Sequence, residues 1–351
     1  MTKRYKRVVL IGRFQCPHNG HLANFLQALD IADKVIILVG SSYQPRTPKN
    51  PFRYLERADM INEAILAARP DAEFSIYPLR DFKYSNNDWI ASVQERVKRD
   101  SPDVEDKDIA ILGYDKDESS WYNHAFPEWD FVPLKGFVEH GSKPIDATKV
   151  RELYFEGHLD YIQSTIPKTV FEYLKEFRKT SFYSMLVEEY MFYRDYHKKW
   201  EPAPFVPTFQ TVDAVVIQGG HILMIQRGHS PGKGLWALPG GFLNPRETLE
   251  EGSVRELIEE TRIKVPEIVL RKAMTYSKRF DHPDRDLRGR TITEAFLFEL
   301  TGGDGKLPRV KGADDAKVAK WFKLSEIEEM EEEIYGDHKH IIDTLKARAR
   351  K

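Results

Sequence analysis

Two short stretches of this 351-residue chain concentrate groups suited to chemistry on phosphates. In the first, the apolar run at 8–11 is followed at once by Gly12-Arg13-Phe14-Gln15-Cys16-Pro17-His18-Asn19-Gly20-His21, and then by Leu22, Phe25, Leu26 and Leu29 at helical spacing. A glycine where a strand ends, Gly12, suits a sharp turn, and a second, Gly20, suits close backbone approach by a ligand. The start of a helix offers unpaired N–H groups and the positive end of its dipole, which together attract phosphate. His18 and His21 can each donate a hydrogen bond to a phosphate oxygen. The competing reading is a structural histidine pair.

In the second stretch, Gly241-Phe242-Leu243-Asn244-Pro245-Arg246-Glu247 leads into Arg255-Glu256-Leu257-Ile258-Glu259-Glu260-Thr261-Arg262-Ile263. On a helix, Glu256 and Glu260 share a face and Glu259 lies three residues from Glu256. Crowded carboxylates repel unless cations compensate, and their hard oxygens suit Mg²⁺ or Mn²⁺. Such ions bridge a diphosphate and activate water for its hydrolysis. Glu256, Glu259 and Glu260 are therefore the candidate metal ligands, with Glu259 and Glu260 also candidate catalytic groups. Arg255 is placed to hold Glu247, while Leu257 and Ile263 anchor the helix. The bland alternative is a solvated acidic face. Asp314 and Asp315, in a polar loop, are candidates for a remaining base.

The first stretch requires a sheet edge to hold it. Strand-like runs at 34–39, 74–79 and 109–112 alternate with helical segments at 54–68 and 88–98, the pattern of parallel β-α-β units. Residues 1–180 are expected to form a doubly wound α/β domain whose ligands sit at the carboxyl ends of the strands. Residues 181–206, crowded with aromatics and then broken by Pro202 and Pro204, predict a helix packed on the first domain followed by a stiff linker. Residues 207–351 are expected to form an α+β domain. In it, strands at 211–217 and 221–226 flank the hairpin signal Gln218-Gly219-Gly220, with a helix over 246–261 and strands around 267–276 and 291–300.

Lysine and arginine (53) nearly balance aspartate and glutamate (55), which supplies no global field for nucleic acid or acidic membranes. No stretch approaches the roughly 20 apolar residues that span a bilayer, and the single cysteine, Cys16, rules out an internal disulfide. A cytoplasmic protein without nucleic-acid or membrane partners is expected, and a homo-oligomer is compatible with the sequence.

Several motifs together carry a family resemblance. His18-Asn19-Gly20-His21 after a first strand resembles the nucleotidyltransferase signature, and Gly12-Arg13-Phe14-Gln15 resembles its nicotinamide mononucleotide (NMN) adenylyltransferase branch. The segment Ile145-Asp146-Ala147-Thr148-Lys149-Val150-Arg151 resembles a second motif, Ile-Ser-x-Thr-x-x-Arg, with Asp146 in place of the serine. Gly113-Tyr114-Asp115-Lys116-Asp117 resembles an adenosine-side loop, and residues 84–89 a segment that holds nicotinamide. The second stretch resembles the Nudix box, with Arg262 replacing its final glycine, and Leu238-Pro239-Gly240 precedes it as in many Nudix proteins. In their order, the motifs resemble the bifunctional NMN adenylyltransferase/Nudix hydrolase family.

That resemblance implies a Rossmann-like nucleotidyltransferase domain followed by a Nudix domain. It implies ATP and NMN as substrates giving NAD, and ADP-ribose as the substrate of the second domain. His18, His21 and Arg151 would stabilise phosphate charge and Thr148 would position it. Gly12, Arg13, Phe14, Gln15, Gly20, Gly113, Lys116 and Asp117 would line the nucleotides, and Trp89 would stack on the pyridine ring. Arg285 and Arg288, in the loop at 280–290, would contact ADP-ribose. Two rival readings keep the Nudix half non-catalytic, as an ADP-ribose sensor or as part of a transcriptional regulator of NAD genes.

Overall fold

The computed structural model describes residues 3–114, 121, 124–134, 146–302 and 306–349. Lys116 and Asp117 lie outside the described residues. The chain divides into two compact units, 1–187 and 188–351, each with its own core.

The first unit runs β1 (Tyr5–Gly12), α1 (Asn19–Ile31), β2 (Ala32–Ser42), α2 (Tyr54–Ala68), β3 (Phe74–Arg80), α3 (Asn86–Asp100), β4 (Ile109–Gly113) and β5 (Asp130–Pro133). Helices α4 (Ala147–Phe155), α5 (Leu159–Ile162) and α6 (Lys168–Phe177) follow. All strand pairs are parallel, in the order β3-β2-β1-β4-β5. Alternation along the strands feeds two cores. Val8, Leu10, Val35 and Ile37 pack with Phe25, Ile61 and Ile65 on one face, while Val9, Ile36, Leu38 and Ile111 pack with Val93 and Val97 on the other. Connections diverge from β1 and β4, so a crevice opens beyond their carboxyl ends, where doubly wound sheets bind ligands. The loop at 12–21 leaves the sheet at that point.

Helix α7 (Ser181–Trp200) is one unbroken helix, and the division between units falls within it. Only 181–187 belongs to the first unit, whereas the sequence predicts a helix packed on that domain.

The second unit runs β6 (Thr208–Gln218), β7 (His221–Arg227), β8 (Trp236–Ala237), β9 (Gly240–Phe242), α8 (Leu249–Thr261), α9 (Glu267–Ala273), β10 (Met274–Phe280), β11 (Arg290–Glu299), β12 (Ala316–Lys323) and α10 (His338–Lys346). Its sheet is mixed, in the order β10-β11-β6-β7-β12, with β8 added on β7 and β9 on β6. Strands β6 and β11 are parallel. Gly219 (φ 52°) and Gly220 (φ 74°) both take the left-handed geometry that the hairpin between β6 and β7 needs. Helix α8 lays Val254 and Leu257 on Val212, Val216 and Phe296, and Ile263 joins the same core.

The strand predicted around 267–276 is half helix. Pro266 precedes the first turn, Glu267 lies in that turn and Arg271 and Lys272 in the last, which suits the helix dipole. Arg271 also pairs with Glu267 at i,i+4. These local signals outweigh the β-branched pair Ile268 and Val269, which is exposed. Among the described residues, no helix is long and apolar enough to cross a membrane.

Candidate active sites

At the end of β1 the left-handed residue is Phe14 (φ 51°), not Gly12. What Gly12 supplies is room, since a Cβ there would lie 2.7 Å from the Phe14 ring. That ring is 5% exposed and packs against His21 and Phe25, so it braces the loop from inside. Gln15 also turns inward: its Nε2 donates to the Phe52 carbonyl (2.9 Å) and its Oε1 accepts from the Phe52 N–H (3.0 Å). The Phe14 and Gln15 side chains therefore brace the loop from inside, which leaves their backbone to face a ligand. Arg13 is exposed and Gly20 is buried in the first turn of α1.

His18 caps α1. Its Nδ1 accepts from the His21 N–H (3.3 Å), while His21 Nδ1 accepts from the His18 N–H (3.2 Å). The rings stack with centroids 3.6 Å apart. Because both Nδ1 atoms accept, each neutral ring carries its proton on Nε2.

From α4, the 8%-exposed Arg151 donates from Nη1 to the Gln15 carbonyl (2.6 Å) and from Nη2 to Thr148 Oγ1 (3.2 Å). Burial, and after it the charge of Arg13, lowers the Arg151 pKa. The structure thus brings Arg151, Thr148 and the histidine loop together. Asp146 accepts from the Thr148 N–H (2.8 Å), so the residue that departs from the family's serine serves as the N-cap of α4. Buried Gly113 closes β4, and Tyr114 beyond it donates to Asn24 Oδ1 on α1 (3.2 Å). Trp89 is half-buried on α3 against Phe126 and Trp121, part of the second core.

Arg57 was not singled out by the sequence. It is fully buried on α2 and donates from Nη1 to the carbonyls of Arg13 and Gly40 (both 2.6 Å). The signal was available: one arginine on the face that carries Met60, Ile61 and Ala64.

In the second unit Arg255 organises the acidic helix. It makes a two-point contact with Glu247 (Nε 2.9 Å, Nη2 2.6 Å), and Nη1 reaches both Glu256 and Glu259 at 2.9 Å. These bonds hold Glu247 down to about 2. Glu260, 4% exposed, accepts from the Gly240 N–H (2.9 Å). Burial, aided by the Glu256 charge, pushes it up to about 8 against the pull of that N–H. Burial also raises Glu256, against Arg255. A Cβ on Gly240 would lie 2.2 Å from the Val212 carbonyl, and one on Gly241 2.5 Å from Glu256 Oε1, so β9 passes the carboxylates only as glycine.

Among the described residues, no three His, Cys, Asp or Glu side chains converge on one point. Glu256 and Glu259 meet at Arg255 Nη1, while Glu260, on the same stretch of α8, turns to the Gly240 N–H. A divalent cation fits this set. Every donor is a hard oxygen, and burial first, with the charge of neighbouring carboxylates adding to it, disfavours the anionic forms of partly buried Glu256 and buried Glu260.

Beside them a cleft is lined by Asp213, Arg227, Gly240, Arg285, Arg288 and Tyr335, among others. Arg285 makes a two-point pair with Asp337 (2.9 and 3.0 Å), and Arg288 pairs with Asp286 at 2.6 Å. Both arginines wall the cleft as neutralised pairs, not as a solvated basic loop. Asp314 joins Glu259 and Arg262 around a separate hollow, while the Asp315 carbonyl accepts from the Gly228 N–H. Arg262 ends α8 in the left-handed conformation (φ 44°).

Residues 9–153 match the cytidylyltransferase-like family and residues 207–345 the NUDIX domain family. A crystal structure of a bifunctional NMN adenylyltransferase/ADP ribose pyrophosphatase from Francisella tularensis, complexed with AMP and a Mn ion, is 36% identical. It superposes with a TM-score of 0.89 over 98% of this chain and 99% of that one. The chain belongs to this bifunctional family. Its halves also have separate relatives. A nicotinamide/nicotinic acid mononucleotide adenylyltransferase of Acinetobacter baylyi is 35% identical over 53% of this chain and 94% of its own length. An ADP-ribose pyrophosphatase of Methanocaldococcus jannaschii is 37% identical over 37% of this chain and 69% of its own length. The bifunctional family therefore accounts for both constellations, one in each unit.

Proposed function

We propose that this chain makes NAD in its first unit and cleaves ADP-ribose in its second, with the residues divided as follows. In the first reaction a phosphate oxygen of NMN attacks the α-phosphorus of ATP and pyrophosphate leaves. The substrate brings its own nucleophile, so the protein's work is alignment and charge stabilisation. His18 and His21 donate from Nε2 to the phosphates, Arg151 adds a desolvated positive charge, and Thr148 positions the same groups. Arg13, Gly20 and Gly113 line the crevice, and Trp89 offers one ring face to the pyridine. The observation carrying this reading is the convergence of the histidine pair and Arg151 at the point where the strand order diverges.

In the second reaction, water cleaves the diphosphate of ADP-ribose to AMP and ribose 5-phosphate. Glu256, Glu259 and Glu260 would hold a divalent cation, Mg²⁺ or Mn²⁺, which neutralises the diphosphate and activates water when bound. Arg255 sets the positions of Glu256 and Glu259, and Arg285 and Arg288 shape the cleft for the nucleotide. Metal-holding carboxylates favour turnover over a sensor role. A compartment rich in ATP and kept reducing, the cytoplasm, suits both reactions and the buried thiol of Cys16.

The test is direct. Purified protein is incubated with ATP and either NMN or its nicotinate analogue, then separately with ADP-ribose and Mg²⁺ or Mn²⁺, and the products are resolved by chromatography. NAD (or its deamido form) and AMP are expected. Intact ADP-ribose with both metals would leave the second half a binding module.

A further inference from the structure

The residues matching the NUDIX family begin at 207, yet the compact second unit begins at 188 and takes in most of α7. We infer that this part of α7 belongs to the hydrolase, with Glu189 and His197 as positioning residues that hold the two loops walling the ADP-ribose cleft. The inference rests on the hydrolase reading above.

The first loop joins β7 to β8. Glu189, 5% exposed, accepts from the Gly232 N–H at 3.2 Å and from the Tyr193 hydroxyl at 3.4 Å. Gly232 sits tight against Tyr335, since a Cβ there would lie 2.4 Å from that ring. The Arg227 guanidinium lies over the same ring at 4.4 Å, and its Nε donates to the Pro231 carbonyl at 2.7 Å. Arg227 and Tyr335 both line the cleft. Glu189 therefore fixes, through one backbone N–H, the loop on which a cleft arginine and tyrosine rest.

The second loop joins β10 to β11. Two helical turns beyond Glu189, His197 Nε2 donates to the Leu287 carbonyl at 2.9 Å. Leu287 lies between Asp286 and Arg288, the ion pair in the cleft wall. A third, apolar path runs from Tyr196 and Trp200 to Phe209, then to Phe242, whose ring carries the Arg288 guanidinium at 4.8 Å. One helix thus grips both loops, and residues 188–200 serve the cleft although they precede the matched domain.

The full-length chain tests this with His197→Ala, whose side chain is exposed and whose loss leaves the core intact, and with Glu189→Ala and Glu189→Gln. Glutamine keeps a carbonyl acceptor of the same shape for the Gly232 N–H. Hydrolysis kinetics, AMP affinity by calorimetry and adenylyl transfer are measured beside wild type. A uniform loss of binding raises KM without lowering kcat. The alanine variants should raise the KM for ADP-ribose and the AMP Kd about 5- to 10-fold, with kcat within about 2-fold. Adenylyl transfer should be unchanged, and Glu189→Gln should behave as wild type. An unmoved KM and AMP Kd in His197→Ala overturn the inference, and so does a glutamine variant as impaired as the alanine. Should Glu189→Ala fail to fold, His197→Ala decides. Absent turnover in wild type counts against the hydrolase reading, while AMP affinity still tests the helix.

Discussion

His18 and His21 cap each other's backbone: each Nδ1 accepts the other's N–H across stacked rings. The bonds that hold the loop also place both ring N–H groups on Nε2, so the structural role and the proposed phosphate contacts use different atoms of the same rings. The two roles can be separated. Asparagine at position 18 keeps an N-cap acceptor, whereas alanine loses it at a cost of about 1 kcal/mol. His18→Asn should keep the wild-type melting temperature yet lower adenylyl transfer by about 10²-fold, as expected for a lost transition-state donor. His18→Ala should lose both. Thermal unfolding with initial rates checks this, and full activity in the asparagine variant would make the pair structural only.

Trp89 packs on Phe126 and Trp121 with part of its surface exposed. If its open face receives the pyridine ring, Trp89→Ala raises the KM for NMN well above any change for ATP. Leucine at this position, which keeps apolar bulk without an aromatic face, should show the same selectivity with a smaller loss of stability. Equal changes for both substrates, tracking a lowered melting temperature, would reduce Trp89 to a core residue.

Arg262 occupies the left-handed cap of α8, a conformation costing an ordinary residue roughly 1 kcal/mol that glycine avoids. Arg262→Gly should stabilise the second unit by about 1 kcal/mol in denaturant unfolding. Hydrolysis should stay within a few-fold of wild type, because Glu256, Glu259 and Glu260 lie before the break. A large gain in turnover would show that the arginine restrains the site and would favour the sensor reading.

Much of this was legible before any coordinates. Alternating runs such as 34–39 and 109–112 have one chemical solution, a buried parallel sheet, and the turn at Gly219-Gly220 needs two residues with positive φ. What the sequence left open was settled partly by partners distant in sequence and partly by close neighbours. The side chain of Gln15 is fixed by Phe52, 37 positions away, which takes both ends of its amide. Gly12 suggests a turn, but its true constraint is the ring of Phe14. The segment at 267–273 has β-branched residues, yet its charges and preceding proline settle it as a helix. Arg285 and Arg288 are paired with Asp337 and Asp286, and only the first of those carboxylates is remote in sequence.

If two independent sites in one chain perform the two reactions, each activity can be removed alone. Both activities are assayed in His21→Ala and Glu260→Gln, each shown to be folded by circular dichroism. His21→Ala should lower NAD formation by at least ~10²-fold and leave ADP-ribose hydrolysis intact. Glu260→Gln should abolish metal-dependent hydrolysis while NAD forms at the wild-type rate. Loss of both activities in either folded variant would show that the two sites are not independent.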